Sequence, residues 1–463
     1  NQISGIQLGH YSWFTSMDVD KGGNAWVGTV IDGFYVIDMH NFSVTRTLDI
    51  PLLLGNTVRN GIQSIYCDRE NNSVWIGLYN QGMCYYHPSM NKIVLYNKKM
   101  INGDWKGEEI RCMLETSRGE ILMGTTQGVY RYEPETKSMN RFYHEFSQKN
   151  CRVLYEDSKK RVWVGTYHDG LYCIDHGKVQ SYDYPDTDYQ NELDFSNIRV
   201  MVEDSSGRLW VSIYGGVGLF NPENGQINLL SEQFPELKKY KVANALAIDN
   251  RSRLVVGSDN GLYIYDPATN KIWIPEEDGQ ANSIFNQGSI KYNQILKDHE
   301  GTLWFATQYG LSVLTYNGQS YTLGKEEGLS KAILNVVEDK NHDIWISTVT
   351  SIYKIKVDRR ADKYSFHVIS CLSEDEIRQD DLYSFPSLMT RDNQLFLGLM
   401  NGFIAFSPEN MIDNQCLNRP LFTSFRLFNV PVVSGEIYNG RVLFDKALSY
   451  SDEVQLKYDE NYI

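Results

Sequence analysis

Apolar and polar residues alternate along this chain in short runs, and the runs come in sets of four. Within 198–230, IRVMVED alternates as a first strand, and Asp204, Ser205, Ser206 and Gly207 form a polar turn whose short side chains and glycine tolerate a tight backbone. RLWVS then reads as a second strand, the glycine-bearing IYGGVG as a loop, LFNP as a third strand halted by its proline, and QINLL as a fourth. The same sentence recurs as VLYEDSKKRVWVGTYHDGLYCID at 153–175 and VVEDKNHDIWISTVTSIYKIK at 336–356. Nine copies align, centred on Trp26, Trp75, Leu122, Trp163, Trp210, Val255, Trp304, Trp345 and Phe396, with spacings of 41 to 51 residues. That period, with four short β runs per copy and no 3.6-residue periodicity, predicts an all-β propeller or β array and not helical repeats.

A lone four-stranded meander has two apolar faces and can bury neither. Stacking such blades around an axis covers both faces, and closing the ring leaves only short edges exposed. The recurring tryptophan therefore reads as packing between blades and not as a ligand platform. Counting back from Phe396 gives seven copies, an ordinary number for a closed ring, with the copies at Trp26 and Trp75 left over. The expected organisation is 1–97 as the last two blades of a preceding propeller, 98–415 as a seven-bladed β-propeller, and 416–463 as the start of a β-sandwich. One larger ring of nine is the alternative. The last copy, GFIAFSPENMIDN, shows no fourth strand of its own, and KIVLY at 92–96 is the candidate to supply it.

Composition fits this picture: 42% of residues are apolar and 13% aromatic, with 31 tyrosines, as expected of half-buried strands. Forty-four basic against 58 acidic residues give a net charge of −14, which argues against nucleic acid as a partner. No window approaches the roughly 18 apolar residues of a membrane span, and NQISGIQLGH lacks the pattern of a signal peptide. The seven cysteines (67, 84, 112, 151, 173, 371 and 416) form no CxxC; Cys67, Cys84, Cys112 and Cys173 fall in expected strands and read as buried free thiols.

The repeat, written I-R-x-x-x-E-D-S-x-G-x-x-W-V-G-T-x-x-x-G-L-x-x-x-D, resembles that of the periplasmic sensor regions of hybrid two-component regulators from gut bacteria. The resemblance covers 11–408, and RPLFTSFRLFNVPV resembles the opening of that family's tyrosine-rich sandwich. It implies two seven-bladed propellers, the sandwich, a membrane helix and a histidine kinase. It further implies a periplasmic, non-catalytic region that binds oligosaccharides from polysaccharide breakdown and signals to the kinase to switch on utilisation genes. The full-length receptor would be a homodimer, anchored through segments outside this chain.

The repeat also points to a site. Five positions before the turn residue equivalent to Asp204 stand Thr15, Gln63, Arg111, Arg152, Arg199, Asn244, Asn293, Leu334 and Phe385. Three consecutive copies thus place arginine at the same point of the first strand. Like charges on one rim need compensation, and guanidinium forks suit carboxylate or sulfate. Two readings stay open: an acidic sugar at the central mouth, or internal pairing with Glu115, Glu156, Glu203 or loop acids. Loops between second and third strands add Tyr79, Asn80, Tyr167, His168, Asp169, Tyr214, Asp259, Asn260, Gln308, Tyr309 and Asn401, a mixture of flat aromatic faces and planar polar groups suited to sugars. The best cluster is Tyr167, His168 and Asp169, on the Arg152 copy. The candidate ligand-binding set is Arg111, Arg152, Arg199, Tyr167, His168, Asp169, Tyr214, Asn244, Asn293 and Tyr309.

Three connections are long: 101–109 with Trp105, the acidic 183–197, and 275–288. The run Asp183, Asp186, Asp188, Asn191, Glu192, Asp194 lacks the register of a calcium loop and reads as solvated. Nine scattered histidines form no ligand pair at metal spacing, and no nucleophile or phosphate-loop motif occurs, so no metal, cofactor or catalytic residue is expected. Two rivals to the sensor reading remain, a propeller-type polysaccharide hydrolase or lyase and a protein-binding scaffold. The turn D-x-x-G-x-x-W departs by one residue from the Asp-box of sialidase-like propellers, which weakens the first.

Overall fold

The structure is a computed structural model, and it describes residues 13–30, 33–41, 44–47, 61–70, 72–79, 82–86, 94–98, 100–184, 193–275, 290–329, 331–360, 363–372, 386–411, 426–428, 430–438, 440–444 and 456–457. It is almost entirely β, as small sheets whose successive strands pair antiparallel, with Asn102–Gly103 added in parallel to Ser138–Arg141. Each copy of the repeat folds as one such sheet, and the whole is a propeller-like all-β fold.

The turn after the first strand explains the conserved wording of the repeat. Asp204 takes the backbone N–H groups of Ser206 and Arg208 on Oδ1, at 2.9 and 3.1 Å. Its Oδ2 accepts from Arg208 Nε at 2.7 Å and from the indole N–H of Trp210 at 2.9 Å. Asp20 with Trp26, Asp157 with Trp163, Asp298 with Trp304 and Asp339 with Trp345 repeat the carboxylate–indole bond at 2.8–3.0 Å. The tryptophan is thus both wedge and anchor. Its ring fills the gap to the next sheet, while its one polar atom, which burial would otherwise leave costly, is satisfied at the turn.

Apolar clusters follow chain order. Trp163 packs with Ile198, Met201 and Leu209 of the following sheet, Trp210 with Leu246 and Leu254, Trp304 with Val336 and Ile344, and Trp345 with Leu395 and Leu397. In the last step Phe396 and Phe403 join Ile110, Met113 and Met123, which belong to the earliest of the seven sheets between 110 and 411. The first strands likewise touch in series, and Ser387–Met389 lies against Ile110–Glu115, so the order of contacts closes on itself. Among the described residues the closing sheet has three strands of its own and takes Val94–Asn97 as a fourth, with Tyr96 opposite Phe403 and Val94 opposite Ala405. This is the pairing expected of 92–96, and it places that strand with the sheets that follow it.

Glutamates at the ends of first strands tie each sheet to its neighbour. Glu156 accepts from Ser117 N and Oγ at 2.7 and 2.8 Å, and Glu203 accepts from Ser158 N and Oγ at 2.6 and 2.7 Å. Across the closure, Glu115 accepts from Arg391 N at 2.8 Å. The alternative in which Glu115, Glu156 and Glu203 neutralise the three arginines is therefore corrected. These carboxylates sit at the far end of the strand from the arginines and bind the adjacent turn.

The sheets at 14–47 and 62–86 pack on each other through Trp26, Phe34, Ile62, Val74 and Ile76. Trp75, the repeat tryptophan of the second, is 38% exposed, against 0% for Trp163. Chain contacts divide the molecule into 1–412 and 413–463. The described part of the second unit has two short ladders, Arg426–Leu427 with Val430–Pro431 and Ile437–Tyr438 with Arg441–Val442, around Leu427, Leu443 and Phe444.

Candidate functional site

At the start of the first strand, five of the seven sheets between 110 and 411 slip register against the second strand by one residue. The slips fall between Ile110 and Cys112, Cys151 and Val153, Ile198 and Val200, Ala243 and Ala245, and Tyr292 and Gln294. The skipped residues are Arg111, Arg152, Arg199, Asn244 and Asn293. A bulge leaves one residue out of the ladder and re-aims its side chain. Here the five side chains converge.

They line one cavity of about 500 Å³ together with Glu109, Lys291, Gln294, Leu334, Asn335 and Ser387, so all seven sheets contribute. The glycine of the W-V-G-T wording serves the same geometry: a Cβ on Gly165 would stand 2.4 Å from Val153 and 2.6 Å from Ile198, so only glycine lets the first strands approach.

Among the described residues the cavity lining is cationic, with Arg111, Arg152, Arg199 and Lys291 set against Glu109. Arg111 pairs with Glu109 at 2.8 Å. Arg199 donates to Asn244 Oδ1 at 3.2 Å, and Asn244 Nδ2 donates to Asp259 at 2.6 Å, with Lys291 3.5 Å from the same carboxylate. Asn293 donates to the carbonyl of Ile333 at 2.7 Å. Arg152, in the middle of the trio, has no acidic partner among the described residues. Its guanidinium lies 4.3 Å from the Tyr167 ring centroid, and its buried Nε has no acceptor. Burial first, then the Arg199 and Arg111 charges, push Arg152 down to about 10. Burial also lowers Arg199, partly offset by Asp259. Such a socket is prepared to take an anion: the repulsion is already present, and a bound carboxylate or sulfate relieves it.

Of the ten residues expected at the site, the structure thus brings Arg111, Arg152, Arg199, Asn244 and Asn293 to the cavity. Tyr167 contributes only as the ring beneath Arg152. His168, at φ 75°, turns to Asp194 at 2.9 Å, and Asp169 turns to Lys149 at 3.1 Å, so the two do not act as a pair. Tyr214 and Tyr309 do not line the cavity, and Tyr309 is 59% exposed. Thr15 and Gln63 belong to the first two sheets, while Phe385 and Asn80 fall outside the described residues. Trp105, expected in a binding loop, is wholly buried and donates to the carbonyl of Glu108 at 3.1 Å. The connections 185–192 and 276–289 fall outside the described residues. Glu109 is a loop acid of the kind left open as a partner for the arginines, and Lys291 was not anticipated. Both stand two residues before a bulge position, a spacing that the period of two along a strand makes readable.

Neither a family model nor a curated protein matches the sequence. Among solved structures, the extracellular domain of the putative hybrid two component system BT3049 from B. thetaiotaomicron superposes with a TM-score of 0.65, at 19% identity, over 92% of this chain and 56% of that one. This chain shares the fold of that extracellular domain. The extracellular domain of the putative hybrid two component system BT4673 from the same organism gives a TM-score of 0.55 at 19% identity, over 98% of this chain and 59% of that one. The chain thus spans less than two thirds of the length of these domains. Among the described residues, no helix is long and apolar enough to cross a membrane.

Proposed function

We propose that this chain is the ligand-sensing part of the periplasmic region of a hybrid two-component regulator, and that it reads oligosaccharides bearing a carboxylate or sulfate group in the cavity ringed by the bulge residues. The observation that carries the reading is Arg152, held between two further arginines without an acid of its own among the described residues. The fold shared with extracellular domains of putative two-component systems supports the sensor role.

In this reading 94–411 forms a seven-bladed propeller, and 14–86 holds two blades of another. The exposed faces of those two blades, with Met17, Tyr66, Trp75 and Met83, favour further blades beside them. Occupancy acts on the kinase by shifting the arrangement of propellers and sandwich, which requires different ligand affinities in the two arrangements. A polysaccharide hydrolase is disfavoured, because acid/base cleavage takes two carboxyl groups flanking the bond and, among the described residues, Glu109 is the only one lining the cavity.

The test is isothermal titration of the chain with sulfated, uronate-containing and neutral oligosaccharides, paired with Arg152→Gln. Binding of an acidic oligosaccharide without turnover, weakened at least about tenfold by the substitution, is the expected result. Unchanged binding in Arg152→Gln, or appearance of cleaved product, overturns it.

A further inference from the structure

Two departures from the repeat meet at a single carboxylate on the far side of the sheets from the cavity. Ser117 and Ser158 stand where the 292–323 sheet has His299, one residue after the turn Asp or Thr. His299 keeps their bond to the next sheet, its N–H donating to Glu338 Oε2 at 2.9 Å, and adds its ring, whose Nδ1 contacts Glu338 Oε1. On that next sheet the left-handed position of the turn, filled elsewhere by Gly119, Gly207 and Gly301 or by Lys160, Ser252 and Asn393, is His342 at φ 64°. A side chain there is strained, yet this one turns back so that its Nδ1 lies 3.1 Å from the same Glu338 Oε1. The two imidazoles stack with centroids 3.5 Å apart and planes at 22°. Three ligand-type atoms therefore fall within 4.8 Å of one another.

We propose that His299, Glu338 and His342 bind a borderline divalent transition-metal ion, zinc foremost, that clamps the 292–323 and 335–372 sheets together. Zinc takes imidazole nitrogen at about 2.0–2.1 Å and carboxylate oxygen at about 2.0–2.2 Å, so tetrahedral ligand atoms stand roughly 3.3 Å apart. The His342–Glu338 separation already matches that edge, and the His299 ring must leave its stack on His342 so that both ring planes meet at the ion. The ion takes the place of the protons now shared with Oε1, and water completes the shell on the exposed side. Of the surrounding charges, Glu300 Oε1 stands 3.9 Å from His299 Nε2, Arg359 pairs with Glu300 and Asp298, and Lys340 pairs with Glu409.

The test uses the whole chain, stripped with a chelator and titrated with zinc by calorimetry and against a chromophoric chelator, with cobalt as a spectroscopic stand-in. His342→Gly and His299→Ser each restore the residue that other sheets carry, so both variants keep the turn and the Glu338 staple. Equimolar zinc uptake that raises the melting temperature, with affinity at least about tenfold lower in both variants at an unreduced urea midpoint, is the expected result. No equimolar uptake by the unaltered chain overturns the proposal, as does uptake that both variants leave intact. The histidines would then be a proton-bridged contact alone.

Discussion

The carboxylate of Asp204 gathers two backbone N–H groups, a guanidinium and an indole, and each neighbour that donates favours the charged form. Burial pushes Asp204 up, but the bonds from Trp210, Arg208 and Ser206 outweigh it and hold the group below 3.8. Because the unfolded chain then binds the proton more readily, the stabilisation is complete above 3.8 and is lost as pH falls through the folded value. Asp204→Asn is expected to cost about 2 kcal/mol at neutral pH in urea unfolding and to flatten the acid limb of the stability profile. A limb as steep as before would remove Asp204 as its cause. The sequence displays the spacing of Asp and Trp but not the bond between them. That bond can be inferred only in retrospect: Thr116 with Leu122 and Thr390 with Phe396 lose both partners together, whereas Asp249, opposite Val255, is kept by Arg253 at 2.7 Å.

At the scale of elements, the seam is the strand Val94–Asn97, whose Tyr96 ring stacks on Phe403 at 4.9 Å and 13° and meets the edge of Tyr132 at 6.2 Å. Tyr96→Ala is expected to lower the unfolding free energy by about 3 kcal/mol, and an unchanged urea midpoint would mean that the strand adds nothing to closure. This strand could be read in advance because the last repeat is one run short. The bulges could not, since register belongs to a pair of strands and neither strand alone records it. For the same reason the repeat located Arg111, Arg152 and Arg199 yet left open a pairing with Glu115, Glu156 and Glu203, which instead bind the adjacent turns. Alternation tells which residues share a face, but strand length and the adjacent turn decide which end meets which neighbour. His299 and His342 escaped notice because motif spacing is searched along one segment, and these two come from successive sheets.

For the whole molecule, Cys67, Cys112, Cys151, Cys173 and Cys371 are buried, and burial pushes Cys67 and Cys151 up to about 12 and Cys173 to about 11. These five thiols are expected to resist a disulfide reagent in the native state and to react once the chain is unfolded. The thiols of 110–411 should emerge together as tryptophan fluorescence reports unfolding. Emergence of Cys67 before the others would mark 14–86 as a separately melting part. Finally, the sheet that closes the circuit is also where the chain arrives from the first two sheets and departs toward residue 413. Because Val94 faces Ala405, the incoming and outgoing ends lie side by side at one end of an antiparallel ladder. Tension between the two flanking parts would peel that ladder open one rung at a time, a far weaker geometry than sliding all rungs at once, so the seam is the molecule's mechanical fuse.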